Sequence, residues 1–114
     1  MIRKEIEIYK TQSGKEPFLE WFENLDLKNQ TRITTRLERI EIGHYGDFKK
    51  LKNSINELRF FTGSGYRIYF AEEDNKLIIL LIGGDKSTQE KDIKKATEFY
   101  NEYKERKQNE KSKI

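Results

Sequence analysis

The chain has no cysteine, one histidine (His44), one proline (Pro17) and no apolar run longer than six residues among its 114. Without cysteine there are no disulfides and no thiolate chemistry. A single histidine with no cysteine also argues against a zinc site, and no metal or cofactor is expected. The longest apolar run, "LIILLI" (Leu77 to Ile82), is too short to span a bilayer, so no membrane partner is expected. The N-terminal "MIRKEIEIYK" mixes charges into its apolar residues, unlike a signal peptide, and the expected location is the cytoplasm.

What the chain does have is charge, at 38% of residues against 34% hydrophobic. That composition suits one modest core and one domain. The net charge of +3 is unevenly placed. Between Asp47 and Phe70, Lys49, Lys50, Lys52, Arg59 and Arg67 stand against Asp47 and Glu57, and the rest of the chain sums to zero. A local basic stripe points to a polyanionic partner better than a high overall pI does.

Periodicity gives an order of elements. "IRKEIEI" (Ile2 to Ile8) alternates as a strand. After Pro17, the spacing of Phe18, Trp21, Phe22 and Leu25 predicts a helix with one apolar face. Asp26 is placed to cap a second helix, with Ile33, Leu37 and Ile40 on its apolar stripe and Gly43 and Gly46 at its end. "GDFKKLKN" reads as a basic connection. Three strands follow, Asn56 to Phe61, Tyr66 to Ala71 and Leu77 to Ile82, joined by short turns in an antiparallel meander. The unbroken apolar run of the third places it inside the sheet, with the first strand on its free side. Thr88 to about Lys107 reads as a last helix with Ile93, Ala96, Tyr100 and Tyr103 in the core. The reading is α+β, in the order β-α-α-β-β-β-α, with one domain over residues 1–107 and a fraying polar tail over 108–114.

The hairpin "ELRFFTGSGYRIYF" (Glu57 to Phe70) carries the sharpest signal. Alternation puts Arg59, Phe61, Arg67 and Tyr69 on the face opposite Leu58 and Ile68. Of the two registers that match apolar sets, the one pairing Arg59 with Tyr69 is preferred, because like charges directly opposite repel. It also leaves Gly65 at a left-handed turn position. Arginine forks match phosphate oxygens and aromatic rings stack on bases, so this face is a candidate RNA site, with Lys49 beside it.

"ELRFFTGSGYRIYF" followed by "LIILLIGGDKSTQEKDIKKA" is similar to the RelE/ParE superfamily of bacterial toxin–antitoxin modules. The nearest resemblance is to its HigB-like addiction module killer branch. It covers nearly the whole chain and rests on Glu57-Leu58-Arg59, Gly65-Tyr66-Arg67 and Gly83-Gly84-Asp85-Lys86-Ser87-Thr88-Gln89, in that order. It implies a toxin with a helical hairpin and a C-terminal helix around an antiparallel sheet. It also implies cleavage of mRNA on the ribosome by attack of a 2′-OH on the adjacent phosphate, without metal or cofactor. On that resemblance Arg67 matches the phosphate-binding arginine, with Arg59 and Lys86 as further stabilisers and Lys50 or Lys52 as bases. The expected partners are the ribosome, mRNA and a cognate antitoxin, a helix-turn-helix protein encoded nearby, with DNA met only through the antitoxin complex. The family's tyrosine or histidine near the chain end has no counterpart here. Asp92 is the approximate match and Tyr100 and Tyr103 read as core. A ParE-like inhibitor of DNA gyrase, acting by protein–protein binding, is the alternative.

Overall fold

Leu77–Gly84 carries no polar side chain, and in the computed structural model, which describes residues 3–112, it is an interior strand with partners on both sides. The strands are β1 (Glu5–Ile8), β2 (Phe48–Lys50), β3 (Asn56–Arg59), β4 (Arg67–Glu73) and β5 (Leu77–Gly84). The helices are α1 (Pro17–Glu23), α2 (Leu27–Glu41) and α3 (Gln89–Ser112). The sheet order is β1-β5-β4-β3-β2. β1 runs parallel to β5 and every other pair is antiparallel, so the expected interior strand and its outer neighbour are found.

Both sheet faces are covered. Leu58, Ile68, Phe70, Ile78 and Leu80 pack with Phe18 of α1 and with Ile33 and Ile40 of α2. Tyr69, Ala71, Ile79 and Leu81 pack with Ala96, Tyr100 and Tyr103 of α3. Tyr100 and Tyr103 are therefore core residues, as their spacing predicts. Two glycines let the helices approach β5: a Cβ on Gly83 would lie 2.1 Å from the Trp21 ring, and one on Gly84 1.8 Å from the Asp92 carboxylate.

The ends of α2 follow the sequence. The Asp26 carboxylate accepts from the Asn29 amide at 2.9 Å. At the other end His44 N–H donates to Arg39 C=O and Gly43 N–H to Ile40 C=O, both at 2.8 Å, a Schellman closure with Gly43 at φ +88°.

Four expectations are corrected. "FKK" within the basic connection is a fifth strand, β2, so the order is β-α-α-β-β-β-β-α. Its alternation is too short to register in sequence, and backbone pairing to β3 makes it. Arg59 pairs with Arg67 and Glu57 with Tyr69, the register rejected on charge repulsion. Gly65 nevertheless takes the left-handed conformation expected of it, at φ +77°. The last helix does not fray at residue 107 but continues to Ser112. The first strand is short, Glu5–Ile8, and the part of the expected strand at Ile2 lies outside the described residues.

Candidate functional site

Two arginines side by side require a buried anion, and Glu57 supplies it. Its residue is 1% exposed, between β2 and β4 on the sheet face that α3 covers. Glu57 Oε2 accepts from Tyr69 Oη at 2.9 Å and from Gln89 Nε2 at 2.8 Å. Arg67 Nε lies 3.5 Å from Oε2 and Arg59 Nε 3.9 Å from Oε1. These two contacts are longer than hydrogen bonds, and neither Nε has a hydrogen-bond partner among the described residues. Glu57 thus orients both guanidinium groups by charge without consuming their donor forks.

Asp47 approaches Arg59 from the other side, its carboxylate 3.7 Å from Nε. A third arginine, Arg36 of α2, reaches beneath. Its guanidinium donates to the backbone carbonyls of Arg59 (2.8 Å), Tyr45 (2.9 Å) and Asp47 (3.1 Å), and stacks 4.6 Å from the centre of the Phe60 ring. Burial lowers its pKa, with the Asp47 charge acting in the opposite direction. Gly46, at φ +71°, leaves room for it: a Cβ there would sit 3.1 Å from Arg36 Nε. Arg36 therefore fixes the backbone on which Asp47 and Arg59 are mounted.

The loop between β3 and β4 is tied to the start of α3. Ser64 Oγ donates to the Asp85 carboxylate at 2.9 Å, and Lys86 N–H donates to Ser64 C=O at 3.4 Å. Asp85 also accepts from the Ser87 amide at 2.9 Å, and hydrogen bonds from Ser87 and Ser64 hold its carboxyl below the usual range. This clamp brings Lys86 beside Gly65 and the arginines. The result is an open cleft of about 510 Å³ lined by Asp47, Arg59, Phe61, Gly65, Arg67 and Lys86. Three cations face one space in it, with one carboxylate on its wall and another buried behind.

Of the residues expected from sequence, Arg59, Arg67, Lys86 and Phe61 line this cleft. Lys49 pairs with Glu57, which puts it on the arginine face, exposed on the outermost strand. Lys50 pairs with Asn56 on the opposite face and lines a different cavity, of about 520 Å³, with Tyr45, Phe48 and Glu72. Lys52 lies in a 3₁₀ turn, Lys52–Ser54, beyond the end of β3 remote from Arg59. The spacing along β3 alone is about 10 Å from Asn56 to Arg59. Neither lysine shares the cleft, which corrects the expectation that one of them acts beside the arginines. Tyr69 is also corrected. It is fully buried and bonded to Glu57, so its ring offers no face to a base. Burial and the Glu57 hydrogen bond push its hydroxyl pKa far above the usual tyrosine value.

Asp92 is buried under Gly84 and hydrogen-bonded to Thr88 Oγ1, away from the cleft lining. Burial raises its pKa against the hydrogen bond from Thr88 and the charges of Lys95 and Lys91. Its place is the first turn of α3. Sequence reading missed Asp47 and Arg36 as parts of the site. The signal for Arg36 was faint: a cation on α2 and a glycine ten residues later, brought together only in three dimensions.

Comparison with known proteins gives a lineage. Residues 20–101 match the family described as Phage derived protein Gp49-like (DUF891). A protein of Haemophilus influenzae named only as uncharacterized is 45% identical over 80 residues, which cover 69% of this chain and 81% of the relative. The matched span contains α2, all of β2 to β5 and each residue of the cleft. The chain belongs to the phage-derived Gp49-like family.

Proposed function

We propose that this protein is the toxin of a toxin–antitoxin module, of the HigB-like branch of the RelE/ParE superfamily, and that it cleaves mRNA on the ribosome. The Gp49-like family is a family of addiction-module toxins, which supports the first half. The observation that carries the second is the convergence of Arg59, Arg67 and Lys86 on one open cleft, with both arginines oriented by a buried carboxylate.

Cleavage by an internal 2′-OH needs a proton acceptor, a stabiliser for the charged phosphorane and a proton donor for the leaving oxygen. In this reading Arg67 and Arg59 hold the non-bridging phosphate oxygens through their outer N–H groups. The Asp47 carboxylate takes the 2′-OH proton as that oxygen attacks phosphorus. The bond to the 5′ oxygen breaks, and Lys86 gives that oxygen a proton. The products are a 2′,3′-cyclic phosphate and a 5′-OH. No step requires a metal. An antitoxin silences the toxin by covering or distorting this basic cleft, most simply with an acidic segment.

Mapping mRNA ends after brief expression, with and without the neighbouring reading frame, tests the proposal. New ends bearing cyclic phosphate, suppressed by the neighbour and absent in Arg67→Ala, are expected. Inhibition of purified gyrase supercoiling with no new mRNA ends would refute cleavage and favour a ParE-like target.

A further inference from the structure

A second groove adjoins the cleft. It lies between α2 and the loop after β3, has a volume of about 390 Å³, and is lined by Thr31, Arg32, Thr35, Arg39, Phe60 and Phe61, with Arg36 at its base. Phe60 and Phe61 line both the groove and the cleft, so the two meet at these rings. Phe61 is 92% exposed, and nothing in the fold accounts for so large a ring in solvent.

The charge pattern of α2 bears on what lies there. At about 100° per residue, Lys28, Arg32, Thr35, Arg36 and Arg39 fall within one arc of about 100°. Ile33, Leu37 and Ile40 face the core, and the helix's two acids, Glu38 and Glu41, lie outside that arc. Arg32 and Arg39 are exposed and make no ion pair among the described residues. They stand seven residues, about 10 Å, apart along the helix.

We propose that this groove binds the single-stranded RNA flanking the scissile phosphate, with Phe61 stacking on a base and Arg32 and Arg39 holding backbone phosphates. The proposal rests on the RNA-cleaving reading above and extends it to a site outside the cleft. A basic groove with a sequence-tolerant aromatic platform is the general solution for single strands. Arg32, Arg36 and Arg39 give the groove charge of one sign, with no carboxylate in its lining, which complements a phosphate backbone.

The test uses the full chain and a short single-stranded RNA oligonucleotide blocked with 2′-O-methyl groups, with binding followed by anisotropy across a salt series. Arg32→Ala and Arg39→Ala, both at exposed positions, should each reduce the log–log salt slope by about 0.7, the value of one phosphate contact on a single strand. Phe61→Ala should weaken binding about tenfold, Phe61→Trp should restore it and Phe61→Leu should not. Unchanged slopes and affinities in these variants would overturn the proposal. So would wild-type cleavage of mRNA on ribosomes without detectable binding of the oligonucleotide, which leaves the function itself standing. Absence of mRNA cleavage by the wild type overturns that function instead. Variants that bind and cleave RNA normally but no longer associate with the neighbouring gene product would show a partner surface and refute the RNA site.

Discussion

Replacing Glu57 by glutamine removes one charge and little else. The amide keeps an oxygen for Tyr69 Oη, so shape and most hydrogen bonding survive. What is lost is the anion 3.5 Å from Arg67 Nε and 3.9 Å from Arg59 Nε. At an effective dielectric of about 20 these contacts have gross Coulomb energies of about 5 and 4 kcal/mol. The second must be discounted, because the Arg59 side chain is 37% exposed and solvent screens it, whereas Arg67 is 14% exposed. Desolvation offsets much of the rest, yet breaking a buried pair from one side leaves an uncompensated charge at a cost of about 3 kcal/mol. Two facing arginines then repel with nothing between them. For a chain of this size the expected loss is about 12 °C in Tm. Thermal unfolding by circular dichroism measures it. The double variant Glu57→Gln with Arg67→Gln should recover part of the loss, because the stranded charge is gone. If Glu57→Gln unfolds within about 0.5 kcal/mol of the wild type, as a surface change would, Glu57 is not what holds the arginines.

Further outcomes follow from the structure. Arg67→Ala should lower kcat for mRNA cleavage by about 10² to 10³, the loss typical of one oxyanion donor, and Asp47→Asn should lower it by about 10² to 10⁴, the loss typical of a general base. Lys50→Ala and Lys52→Ala, outside the cleft, should change kcat less than about threefold in the same assay. Asp92→Asn should stabilise the protein at neutral pH. Burial raises the folded carboxyl's pKa above its unfolded value, so the wild type is relatively most stable below that unfolded value and loses stability as pH rises through the folded one. The variant's advantage should therefore vanish in acid and level off above the folded pKa, as urea midpoints across pH will read. Gly83→Ala should cost about 1–3 kcal/mol by pushing its methyl group into Trp21, with the m-value unchanged.

The parts of the fold that sequence made legible are those where one local rule acts alone. "LIILLI" has no alternation because both faces of β5 are covered, and its burial reads directly from that. Asp26 sits at a helix start with its acceptor in reach, whatever the rest of the chain does. The failures all need a third partner. The like-charge rule rejected the true hairpin register because it weighed Arg59 against Arg67 and left out the anion beside them on the same face. Parity put Tyr69 with the arginines correctly, but it cannot say that α3 covers that part of the face and leaves its end open. β2 is three residues held by a neighbour, with no pattern of its own to see. Lys50 and Lys52 looked close to the arginines because they are close in sequence. An antiparallel turn carries them to the other end of the strand.

The central place of β5 has a consequence for synthesis. Among the described residues β1 has one sheet partner, β5, about 70 residues behind it in the chain. β4 also needs β5 on one side, and the Asp85 clamp that completes the cleft comes later still. The β1–β5 pairing, with its high sequence separation, forms slowly and cannot close until β5 has been made. A nascent chain stopped at the β4–β5 turn therefore has both arginines on paired strands, but neither β5 beside them nor the Asp85 clamp that completes their cleft. Completion of the cleft therefore waits on the last strand and the turn that follows it.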